Sequence, residues 1–165
     1  MKTLAFITLL SLISSVESVE ITNFKAGLAC TDGETFGWIC HETNDIYITG
    51  QGKCVYNKQE KPCTWHGFSF DYTGVTEDTE ISCNIETSVP SNLGNPKEEI
   101  SKNQINSEFI LEVPIGDGHF FNPQYSVLSF NDHSPIVVKR TSCFVADKLL
   151  FEINKRHIYP SNPLK

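Results

Sequence analysis

The chain has 165 residues, enough for one domain with a real core. Its 20 acidic and 13 basic residues leave a formal charge of −7, and only Arg140 and Arg156 supply guanidinium groups. That balance argues against a nucleic-acid binder, which needs clustered Lys and Arg along the phosphates, and against adhesion to an anionic membrane surface.

Residues 1–18 read as a secretory signal peptide. Lys2 supplies the positive start, Leu4 to Ile13 (LAFITLLSLI) the apolar run, and Val16 and Ser18 the small residues before cleavage. Cleavage is expected after Ser18, with Ser15 as the alternative. The run is too short to span a bilayer, and no later stretch approaches spanning length, so no membrane insertion is expected. The expected location is secreted: extracellular, or periplasmic in a bacterium. Residues 19–159 form a single β domain and 160–165 a frayed tail.

Along this domain apolar residues recur at every second position. Phe24, Ala26, Leu28 and Cys30 share one face; a turn at Asp32-Gly33 follows; Phe36, Trp38 and Cys40 alternate again. Two such runs around a short polar loop predict a hairpin. Ile46 and Ile48 mark a third strand, ended by Gly50-Gln51-Gly52. Cys54 and Cys63 bracket a polar, turn-rich segment, and Phe68, Phe70 and Tyr72 then occupy one face of a half-buried strand. Ile81, Cys83 and Ile85 alternate against Glu80, Asn84 and Glu86, which turns Cys83 inward. Residues 87–107 are polar and rich in Asn, Ser and Pro, and read as a mobile surface loop, with a short helix starting at Asn95-Pro96 as the alternative. Phe109, Leu111 and Val113 form a strand, Gly116-Asp117-Gly118 a turn, and 120–130 and 136–138 further strands. The segment 143–153 (CFVADKLLFEI) fits a helix face or a closing hairpin, and the Ala146-Asp147-Lys148 turn signal favours the hairpin.

Eight to ten short strands at this spacing predict an all-β fold: a disulfide-stabilised antiparallel β-sandwich, with an Ig-like arrangement or a small barrel as variants. All six cysteines follow the export signal, an even number that reads as three disulfides. Spacing and face favour Cys30–Cys40, Cys54–Cys63 and Cys83–Cys143. The second would staple the base of a loop for about 2–3 kcal/mol, and the third, closing a much longer loop, is worth about 4 kcal/mol. Cys83 and Cys143 are expected as facing core positions.

The chain carries no GxSxG, P-loop, GxGxxG or HExxH, and no CxxC or HxxxH spacing. No cofactor and no metal is expected. His41, His66, His119, His133 and His157 are scattered over turns and surface, and Glu77-Asp78-Thr79-Glu80 is a solvated acidic run. The aromatic residues are the best hint of function, because flat exposed rings hold sugars and partner surfaces. Trp38, Trp65, Tyr47, Tyr56 and Tyr125 are many rings for this length. Trp65 has the opposite parity from Phe68, which points it outward beside His66; a second core layer or a cover over the disulfide is its bland alternative. Residues 116–125 (GDGHFFNPQY) offer a second surface. The candidate ligand-binding residues are therefore Trp38, Trp65, His66, His119 and Tyr125.

These features point to a small secreted, non-enzymatic protein that binds another macromolecule, as an effector, inhibitor or envelope-interaction protein, with 55–62 and 87–107 as first contact regions. The alternative is a carbohydrate-binding module using Trp and Tyr platforms. The second alternative is a small hydrolase using Asp71, His66 or His119. The expected partner is a protein or a glycan.

Overall fold

The structure, a computed structural model, describes residues 19–33, 37–93, 102–129 and 134–161. The expected export segment, Phe36, His133 and the Asn95-Pro96 helix start lie outside the described residues. Ten strands are formed: β1 (Glu20–Cys30), β2 (Trp38–Glu42), β3 (Asp45–Tyr47), β4 (Gly52–Tyr56), β5 (Gln59–Val75), β6 (Ile81–Leu93), β7 (Lys102–Leu111), β8 (Gly116–Val127), β9 (Ile136–Val145) and β10 (Lys148–Ile158). One sheet runs β2-β1-β5-β4, with β8 on the other side of β5; the second runs β3-β10-β9-β6-β7. Among the described residues only the β3–β10 pairing is parallel.

β5 organises the first sheet. Its 17 residues pair β4 through 59–63 and β1 through 66–73 on one side, and β8 over 63–75 on the other. Alternation turns His66, Phe68, Phe70 and Tyr72 to the inner face. Phe68 and Phe70 are fully buried, and their rings meet Phe24 of β1, Phe120 of β8 and Phe151 of β10. Phe151 comes from the second sheet and lies 5.5 Å from Phe70, so this ring cluster joins the two layers.

Several local expectations change. The Cys83–Cys143 bridge is present, but it does not cross the sandwich: the two residues are direct partners on β6 and β9, with Cα atoms 4.1 Å apart. Both still face the core and are fully buried. The Cys30–Cys40 bridge joins β1 and β2. The third expected bridge is absent: Cys54 and Cys63 are free, buried thiols. They do not flank a loop either, because β4 and β5 run up to a tight turn whose residues Asn57 and Lys58 have φ of 50° and 62°. The stretch 87–107 is largely strand, since β6 reaches Leu93 and β7 begins at Lys102, with an irregularity between Glu86 and Ser91. A ladder at a sheet edge needs backbone bonds more than apolar side chains, which is why its polar composition reads as loop. Gly116-Asp117-Gly118 opens β8 instead of forming a separate turn, and so places His119 within a strand. The segment 143–153 is the expected hairpin, turning at Ala146 and Asp147.

Candidate binding faces

On the outer face of the first sheet, Trp65 of β5 and Tyr125 of β8 are cross-strand partners whose rings meet edge to face at 5.2 Å. Trp65 Nε1–H donates to the Lys53 carbonyl (3.2 Å), and the Tyr125 hydroxyl donates to the Val55 carbonyl (2.7 Å). Both acceptors lie on β4. Because β5 separates β8 from β4, the Tyr125 side chain must pass over β5 near Cys63, which pairs with Gly52 on one side and Val127 on the other. Cys54, Cys63 and Trp65 share this face by register, so the ring pair roofs the two thiols. Gly52 makes room for the indole: a Cβ there would sit 2.7 Å from Trp65 Cδ1. Burial pushes the Cys54 thiol up to about 12. Trp65 thus faces outward as expected, but as a half-buried roof whose N–H is already bonded.

The other candidates are dispersed. His66 is not beside Trp65; it points to the opposite face and is buried between the sheets. His119 lies opposite Asp71, with Nδ1 2.7 Å from Oδ1, while Asn23 Nδ2–H donates to Asp71 Oδ2 at 2.6 Å. The Asn23 bond and then His119 hold the Asp71 carboxyl below its usual range. This polar cluster is about 20 Å along β5 from the ring pair, at about 3.3 Å per residue. Trp38 is 44% exposed on β2, at the far edge of the same sheet.

Sequence reading missed a polar cluster between the sheets. The Ser126 Oγ lies 3.0 Å from His66 Nε2 and 3.1 Å from His157 Nδ1. Lys139 Nζ–H donates to Gln124 Oε1 (2.9 Å), and Lys155 Nζ–H donates to the Ala26 (2.9 Å) and Thr43 (2.5 Å) carbonyls. Desolvation lowers His157 to about 3 and Lys139 to about 8, and it lowers His66 well below the usual histidine range. The cavity they line measures about 20 Å³, room for one water molecule and no substrate. Among the described residues, no three His, Cys, Asp or Glu side chains gather as metal ligands.

The second sheet carries a different outer surface. Register places Tyr47, Ile158 and Ile136 in one row across β3, β10 and β9, and Asp45, Arg156 and Val138 in the next. Tyr47 is 58% exposed, Ile136 and Val138 each 41%. Polar groups border this apolar corner. Arg156 grips Asp45 through two bonds of 2.7 and 2.5 Å, which holds the Asp45 carboxyl below its usual range, and Arg140 pairs with Glu86.

No protein family and no curated protein sequence matches this chain. A solved structure does: an immunoglobulin-like protein from Pseudomonas aeruginosa is similar over 85% of this chain and 96% of its own, with a TM-score of 0.56 and 16% sequence identity. Two five-stranded sheets, two disulfides and this likeness make the chain an all-β sandwich of immunoglobulin-like fold.

Proposed function

We propose that the chain is an exported, non-catalytic protein that binds another protein through the outer face of β3, β10 and β9. One observation carries the reading: an apolar row in which exposed Tyr47 and Ile136 flank half-buried Ile158, continued by exposed Val138 and bordered by ion pairs. A desolvated aromatic and aliphatic centre within a polar rim is the layout of a protein-binding surface. The disulfides and the immunoglobulin-like fold fit an extracellular or periplasmic setting. The non-catalytic reading is supported by the interior cluster, where the cavity lined by His66, His157, Lys139 and Lys155 has room for a water molecule alone.

The test is affinity capture from extracellular or envelope extracts, with the parent and a Tyr47→Asp, Val138→Glu variant as baits. The reading predicts a protein retained by the parent and released by the variant, with the two baits equally stable. Retention of that protein by both baits defeats this surface. A glycan array run alongside decides the other partner class: glycan binding that is lost in Trp38→Ala would replace a protein partner with a carbohydrate.

A further inference from the structure

We propose that Cys54 and Cys63 are the reduced form of a third disulfide, which closes the β4–β5 hairpin when the chain meets a small-molecule disulfide such as glutathione disulfide. Its geometric basis is a precedent within the same molecule. Cys54 pairs directly with Lys61, two residues before Cys63, and its Sγ lies 3.7 Å from the Lys61 carbonyl oxygen. Cys40 sits at the bulge of the β1–β2 ladder instead of in a direct pair, but its sulfur is placed alike: Sγ lies 3.6 Å from the Leu28 carbonyl oxygen, two residues before Cys30. That diagonal arrangement is bonded, across Cα atoms 5.7 Å apart. Both pairs join neighbouring antiparallel strands, and both sulfurs of each pair share a sheet face. Beyond that bulge, what separates them is the roof. Cys30 and Cys40 are exposed, whereas Cys54 and Cys63 lie beneath Trp65 and Tyr125 and are 6% and 0% exposed.

The chemistry is thiol–disulfide exchange. One cysteine thiolate attacks the oxidant, forming a mixed disulfide and releasing one small thiol. The second cysteine then attacks the protein sulfur of that mixed disulfide and releases the other small thiol. Two S–H bonds are lost from the protein and one S–S bond is gained. The two electrons and two protons pass to the oxidant, which leaves as two thiols. An oxidant as large as glutathione disulfide cannot reach sulfurs held under two rings. A buried thiol is also a poor nucleophile because its thiolate is disfavoured. The bond therefore forms while the hairpin is still open, before Tyr125 docks on Val55.

The experiment refolds the full, fully reduced chain in a glutathione and glutathione disulfide buffer. The product is then denatured, treated with a maleimide, digested without reduction and mapped by mass. The expected result is no maleimide on any of the six cysteines, with a cross-linked peptide pair containing Cys54 and Cys63. The proposal is overturned by a product in which Cys30–Cys40 and Cys83–Cys143 are closed while Cys54 and Cys63 each carry a maleimide. It is equally overturned if either cysteine is found bonded to a different partner.

Discussion

His66 and His157 come from opposite sheets and meet at 4.7 Å, with their rings nearly perpendicular and one hydroxyl, that of Ser126, within bonding distance of both. One hydroxyl has a single proton to donate and two lone pairs, so Ser126 can donate to at most one of the two rings and the other must present an N–H to it. The ammonium groups of Lys139 and Lys155 face the same space and also disfavour a charged ring.

This arrangement fixes the sign of the acid response. His157 titrates near 3 when folded and near 6.5 when unfolded, so the unfolded chain binds more protons between those values. The stability it confers is complete above about pH 6.5 and is lost as pH falls towards about 3, up to roughly 4–5 kcal/mol for this nearly fully buried ring. Urea unfolding between pH 4 and 8 should show stability falling with acid, and His157→Gln should flatten that fall by about one proton per molecule. Equal slopes in parent and variant would place the acid sensitivity elsewhere.

The two bridges should differ in worth. Cys83–Cys143 closes a separation of 60 residues and Cys30–Cys40 one of 10. Chain entropy then gives about 4 kcal/mol for the first and about 3 for the second. Removing the first by a paired Cys→Ala change also leaves a void beside Ile81 and Leu111 in the same cluster, adding about 1 kcal/mol or more. Denaturant midpoints of the two double variants should rank in that order. The reverse order would mean that strand pairing in the unfolded chain already restrains β6 and β9.

Alternation made much of the fold legible, because a half-buried strand writes its inner face at every second residue. Phe68, Phe70 and Tyr72 are the clearest case, and the same rule parts Trp65 from His66, which adjacency in sequence conceals. Alternation assigns a face and says nothing of what lies opposite in the other sheet. Ser126, Lys139 and His157 therefore gave no sign of meeting His66. The apolar corner was hidden for a related reason: Tyr47 sits on a three-residue strand, Ile158 reaches it from the far end of the chain through a parallel pairing, and Ile136 follows through the antiparallel pairing of β9 with β10. The roof over Cys54 and Cys63 depends on β8 lying beside β5, a long-range pairing that spacing alone does not determine.

The seat of Trp65 is open to a direct test. Gly52→Ala would bring a methyl to 2.7 Å from the indole, a ring also held by its bond to Lys53. The indole must move, at a cost of about 1–3 kcal/mol. Tyr125→Phe removes only the hydroxyl bond to Val55 and should cost about 1 kcal/mol. Trp65 fluorescence should shift to the red in Gly52→Ala as the ring becomes more exposed, and should change less in Tyr125→Phe. An unshifted spectrum in Gly52→Ala would show that β4 yields instead of the ring.

Lys139 suggests a stabilising change. Its Nζ bonds the neutral Gln124 amide, and desolvation lowers its pKa to about 8. Burying a charge without an opposite partner carries a cost that a similar apolar side chain avoids. Lys139→Met keeps the stem and should raise stability at pH 7 by about 1–2 kcal/mol, less than the full desolvation cost because part of the residue stays exposed and Gln124 loses its donor. The folded pKa lies below the unfolded one, so the parent regains stability as pH rises from about 8 towards about 10.5. The advantage of Lys139→Met should shrink over that window in thermal melts. A variant less stable than the parent at pH 7, with a difference that does not change with pH, would mean the ammonium earns its position through bonds that outweigh its desolvation.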